Sequence, residues 1–79
     1  MKARVTVTLK HGVLDPQGAA IEATLSHLGF EGVSARVGKV IELELPAADA
    51  AHAREQIAQM CEKLLANTVI EKYAIELVA

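Results

Sequence analysis

Hydrophobic and polar residues alternate strictly at the start of the chain. Over residues 3–10, Ala3, Val5, Val7 and Leu9 share one face, and Arg4, Thr6, Thr8 and Lys10 share the other. A period of two carried by β-branched residues predicts a half-buried strand. After the connector His11-Gly12-Val13-Leu14 the period changes. Asp15 suits a helix cap and Pro16 the first helical position. Ile21, Leu25 and Leu28 then recur at i, i+4 and i+7, one helical stripe. Gly29 is placed to end that helix as the glycine beyond the C-cap. Residues 33–37 and 40–45 predict two strands joined by a type II′ turn at Gly38-Lys39. In the second of these Ile41, Leu43 and Leu45 face inward, Glu42 and Glu44 face away, and Pro46 stops the strand. A second helix is predicted over 47–65, beginning at Ala47, with Asp49 in its first turn. Ala53, Ile57, Met60 and Leu64 form its stripe, flanked by Cys61 and Leu65, and Asn67 suits a left-handed cap. Residues 69–78 close the pattern as a strand, with Tyr73, Ile75 and Leu77 inward and Lys72 and Glu76 outward.

The order is therefore β-α-β-β-α-β in a single domain over residues 1–79. Right-handed crossovers arrange these elements as an α+β, ferredoxin-like split βαββαβ fold. It predicts a four-stranded antiparallel sheet of order 4-1-3-2 with both helices on one face. The uncovered face would carry Arg4, Lys10, Arg36 and Lys72 against Glu42, Glu44 and Glu76. Opposite charges on neighbouring strands favour this pairing by about 0.2–1 kcal/mol each. A patch of mixed sign also suits two-fold self-association. The connectors 11–18, 38–39 and 66–68 would meet at one end of the sheet.

Composition removes several function classes. The 79 residues are 52% hydrophobic but hold only two aromatics, Phe30 and Tyr73, so the core is aliphatic. A net charge of −2 and the lack of a stacking platform argue against nucleic acid. A single cysteine fits a reducing cytosol. The alternating N-terminus predicts no signal peptide, and no apolar run is long enough to predict a membrane span. His11, His27, His52 and Cys61 lack metal-ligand spacing. Ser26 and Ser34 have no evident base. Glu42 and Glu44 read as ion-pair partners rather than a catalytic pair. The glycines from Gly12 to Gly18 lack a phosphate-loop ending, and Asp15 at the helix start repels anions. No catalytic, metal or cofactor site is expected.

Three segments carry a resemblance: Gly12-Val13-Leu14-Asp15-Pro16-Gln17-Gly18, then Arg36-Val37-Gly38-Lys39, then 60–67 (M-C-E-K-L-L-A-N) with Val69-Ile70-Glu71. In order and length, across essentially the whole chain, they closely resemble the PurS family, the small subunits of phosphoribosylformylglycinamidine (FGAM) synthase. Thr68 departs from the family's typical proline at that turn. The resemblance implies a role in de novo purine biosynthesis. In that family's complex a large synthetase subunit binds nucleotides and Mg²⁺, and a glutaminase subunit releases ammonia from glutamine. ATP, Mg²⁺ and glutamine are thus used by the partner subunits. The small subunit has no catalytic site of its own, forms a homodimer or homotetramer, bridges the other two and supports ammonia transfer in the cytoplasm. Leu14, Asp15, Gln17, Arg36, Lys39 and Asn67 are the candidate partner interface. A small-molecule-sensing regulatory domain of the same βαββαβ order is the alternative.

Overall fold

The computed structural model describes residues 1–46 and 48–78. Ala47, the expected first residue of the second helix, and Ala79 lie outside the described residues. The elements are β1 (Lys2–Leu9), α1 (Pro16–His27), β2 (Gly38–Glu44), α2 (Ala50–Met60), a π turn (Cys61–Leu65) and β3 (Glu71–Val78). The sheet has three strands in the order β2-β1-β3, both pairings antiparallel. It keeps the expected neighbours of the first strand but lacks the expected fourth strand at 33–37.

The alternation of β1 sorts as the sequence requires. Ala3, Val5 and Val7 are buried. They lie in register with Leu43, Ile41 and Lys39 on one side and with Leu77, Ile75 and Tyr73 on the other. The opposite face is polar. Arg4 stands between Glu42 and Glu76 in register and contacts Glu76 at 3.8 Å. At such exposure this pair contributes at most about 1 kcal/mol.

α2 supplies the roof. Asp49 caps it, its Oδ1 accepting from the His52 amide at 2.8 Å. Ala53, Ile57 and Cys61 are fully buried against the sheet. The expected stripe continued through Met60 and Leu64, yet Met60 is partly exposed and Leu64 is 82% exposed. The π turn explains the change. The Ala66 amide donates to the Cys61 carbonyl at 3.1 Å, an i→i+5 bond. It rotates the last turn, so Cys61 and Ala66 enter the core in their place. Asn67 does not take up a left-handed cap, because positive φ angles occur only at glycines among the described residues.

α1 behaves differently. It starts at Asp15-Pro16 as expected and ends in a Schellman motif. The Phe30 amide donates to Leu25 O, the Gly29 amide donates to Ser26 O, and Gly29 has φ +97°. The helix has no substantial packing contact with the sheet or with α2. Its expected core stripe is consequently open, with Ile21 43% and Leu28 67% exposed. The two helices do not share one face of the sheet. The molecule extends 50 × 27 × 14 Å.

Candidate functional site

The connectors do gather at one end, around Lys10. Its amide donates to Ile70 O at 2.8 Å, and its carbonyl accepts from Arg36 Nη2 at 3.2 Å. Its Nζ donates to Thr68 O at 2.6 Å. Gly38 and Lys39, expected as a hairpin turn, instead open β2, paired with Thr8 and Val7. A Cβ on Gly38 would stand 2.7 Å from Val7 O, so close strand approach selects glycine there rather than a left-handed turn.

Asp15 is the centre of this end and is buried. One carboxylate oxygen accepts from the Gly18 amide at 2.9 Å, capping α1. The other accepts from the Val37 amide at 2.8 Å. These bonds, Val37 first, hold the Asp15 carboxyl below the usual carboxylate range, aided by the Arg36 guanidinium and opposed by burial. Arg36 also donates to Val13 O at 3.1 Å. Glu22 accepts from the Ala35 amide at 2.8 Å. A Cβ on Gly18 would lie 2.4 Å from Ala35 O. The incoming segment 10–18 and the returning segment 35–37 are therefore clasped together at the base of α1.

This clasp is also why 33–37 forms no strand. The amides of Ala35 and Val37 are taken by carboxylates, so they are not available to a sheet ladder. Glu22 escaped the sequence reading, and Lys10, expected on the open face of the sheet, was not among the candidate interface residues. Glu22 could have been found, since it lies one turn beyond Gly18 on the same helix face.

The six candidate residues divide by role. Asp15 and Arg36 build the clasp. Asn67 shapes the neighbouring turn: its amide donates to Glu71 Oε1 at 2.6 Å and its Oδ1 accepts from the Val69 amide at 3.2 Å. Leu14, 80% exposed, and the exposed Gln17 and Lys39 present side chains to solvent. Gln17 and Lys39 line a shallow, mainly apolar groove of about 400 Å³, with Val7, Leu9, Pro16 and Val37. Its walls combine a cation, an amide, the carboxylates of Asp15 and Glu71 and aliphatic surface, a mixture that suits protein contact. Among the described residues no group of three or more His, Cys, Asp or Glu is placed to hold a metal ion. Among the described residues no helix is long and apolar enough to cross a membrane.

Comparison with known proteins gives one consistent result. The family model for PurS, phosphoribosylformylglycinamidine (FGAM) synthase, matches residues 2–79. The PurS subunit of Synechocystis sp. is 53% identical over 77 residues, covering 96% of this chain and 77% of that protein. The crystal structure of Bacillus subtilis PurS superposes with a TM-score of 0.87 at 43% identity, covering 99% of this chain and 98% of that one. A chain in the structure of PurLQS from Thermotoga maritima gives 0.87 at 35% identity, covering 98% and 95%. The chain belongs to the PurS family and is a subunit of phosphoribosylformylglycinamidine synthase in purine biosynthesis.

Proposed function

We propose that this chain is the non-catalytic subunit that bridges the synthetase and glutaminase subunits and supports passage of ammonia between them. ATP, Mg²⁺ and glutamine belong to those partners, and this subunit binds no cofactor. The observation that carries the reading is the likeness to a chain of the Thermotoga maritima PurLQS structure over 98% of this chain. The clasped end supports it, because Leu14, Gln17 and Lys39 stand exposed on a base that Asp15, Arg36 and Asn67 hold rigid. The setting is cytoplasmic, in line with a free, buried Cys61. The chain works as a homodimer or homotetramer: both edges of its sheet are unpaired among the described residues, and one face is open and of mixed charge.

The test is reconstitution. Synthetase and glutaminase subunits are assayed for glutamine-dependent synthesis with and without this chain. Omitting it should abolish most of the rate, and Lys39→Glu should weaken assembly about tenfold, ~1.4 kcal/mol, while the chain stays folded. An unchanged rate without the chain overturns the reading.

A further inference from the structure

The chain carries a net charge of −2, yet its cations are unevenly spread. Half of its eight Lys and Arg, namely Lys10, Arg36, Lys39 and Lys72, surround the clasped end where α1 and its return segment leave the sheet as an arm, and all four are exposed. The carboxylates of this end are turned inward. Asp15 is buried on the Gly18 and Val37 amides. Half-buried Glu22 and Glu71 accept from the Ala35 and Asn67 amides. Arg36 and Lys10 donate to neutral carbonyls, which leaves their charge in place. Glu62 and Lys63, adjacent on the π turn, offset each other. Among the described residues the one ion pair, Arg4 with Glu76, lies toward the opposite end of β1.

These cations are spread rather than convergent. Lys39 is in register with Val7 on one side of β1, and Lys72 with Thr8 on the other. Two strand spacings, about 10 Å, separate them, and Val7 and Thr8 face opposite sides of the sheet. One small anion cannot reach both. The groove at this end is mainly aliphatic, and Asp15 and Glu71 in its wall repel a compact polyanion such as phosphate. Leu14 and Val69, one and two residues from those carboxylates, are 80% and 82% exposed. A second copy does not suit the end either. A two-fold contact would set these cations against themselves, and a head-to-tail contact with Glu42, Glu44 and Glu76 of another copy leaves an open end on each pair.

We propose that this end docks on an acidic protein segment of a partner subunit. Aliphatic side chains of that segment enter the groove, and its carboxylates meet Lys39 on one flank and Lys10 and Lys72 on the other. The inference rests on the bridging reading above and specifies the chemistry of one of its contacts. Charge complementarity of this kind speeds encounter and makes assembly sensitive to salt.

The labelled chain is titrated with the synthetase and glutaminase subunits together, and fluorescence anisotropy is read at low and high salt. Lys39→Glu with Lys72→Glu should raise the Kd about 100-fold. Lys39→Gln with Lys72→Gln should raise it about tenfold and flatten its dependence on salt. Ala51→Glu with Gln59→Glu, at exposed positions of α2, alters net charge as much as the glutamine pair and should move the Kd by about threefold or less. Circular dichroism checks that each variant is folded. An equal loss in the α2 variant shows a response to net charge alone and overturns the proposal. A Kd that neither salt nor the lysine variants move overturns it as well. Wild-type chains that grow in light scattering as salt is lowered overturn it in favour of head-to-tail self-association. Inorganic phosphate that displaces the partner at constant ionic strength overturns it in favour of a small-anion site. Each of these results leaves the bridging reading standing, whereas a reconstituted rate unchanged by omitting the chain overturns both.

Discussion

The sheet with α2 and the arm around α1 are stabilised by opposite means. In the first, Val5, Val7, Ala53, Ile57 and Cys61 are at most 1% exposed, and apolar burial dominates. In the second, residues 11–37 bury only Asp15 and Gly18, and what fixes the arm is a polar clasp. The two regions join at Lys10 and where Val37 runs into β2 at Gly38. A core of few aliphatic residues can fold the sheet, while hydrogen bonds to one carboxylate aim the helix outward. Damage to one region should therefore leave a signature different from damage to the other.

The largest effect belongs to the core. Ile57→Ala removes a fully buried side chain from the core between α2 and the sheet. It should cost about 2–5 kcal/mol, a large share of the roughly 4–12 kcal/mol available to a chain of this length. Urea unfolding should show a midpoint far below wild type, with sheet and helix signals lost together. A loss under 1 kcal/mol would mean that the sheet does not depend on this roof.

Gly18→Ala attacks the arm instead. The new Cβ would meet Ala35 O at 2.4 Å, and both partners belong to backbone that the clasp fixes. Overpacking of this kind costs about 1–3 kcal/mol. The expected sign is local: amide exchange should accelerate at Ala35 and Val37 while the β1 amides stay protected. If β1 loosens equally, the two regions are one cooperative unit and the contrast fails.

Acid separates the regions without mutation. The folded Asp15 carboxyl releases its proton more readily than the unfolded one, whose ordinary value is 3.8. Its contribution is whole above that value and fades as pH falls through the lower folded value. Below about pH 4 the arm should loosen first. Asp15→Asn, which cannot ionise, should start from a weaker clasp and lose the acid-dependent step at Gly18 and Val37. Nuclear magnetic resonance titration reads both. A wild-type arm that opens only as pH rises would contradict the assignment of Asp15.

The same contrast decides what was legible in the sequence. Alternation in 3–10 and 69–78 placed β1 and β3 to within two residues of their observed bounds, because each strand is covered on one face and solvated on the other. The cap at Asp15 and the Schellman glycine at 29 are local chemistry and also read directly, whereas Asp49, expected inside the first turn of a helix from Ala47, is itself the cap. Residues 33–37 misled, since V-S-A-R-V has strand-like alternation, and its fate depends on carboxylates at Asp15 and Glu22 that lie 13–22 positions away. The stripe of α2 was right to Ile57 and wrong beyond it, because no residue type announces a π turn. Of the candidate site, convergence at one end was visible. That Asp15 and Arg36 are spent on the clasp, leaving Leu14, Gln17 and Lys39 free to face solvent, required coordinates. Motif residues alone do not say which of them hold a loop and which meet a partner.

The smallest effect tests the hinge between the regions. Thr68 stands where PurS chains typically have proline. Its carbonyl accepts from Lys10 Nζ, a bond that proline would keep, and no hydrogen bond from its amide occurs among the described residues. The preceding turn is already held by Asn67 and Glu71, whose side chains take the Val69 and Asn67 amides. Thr68→Pro should thus restrict the unfolded chain more than it strains the folded one, and stabilise by about 0.4–1 kcal/mol. Thermal unfolding should shift upward by a few degrees, and the arm, tied to this turn through Lys10, should exchange its amides no faster. A drop in melting temperature would show that this turn has been rebuilt around threonine. In that case Lys10, and with it the joint between arm and sheet, is positioned by Thr68 rather than by the clasp alone.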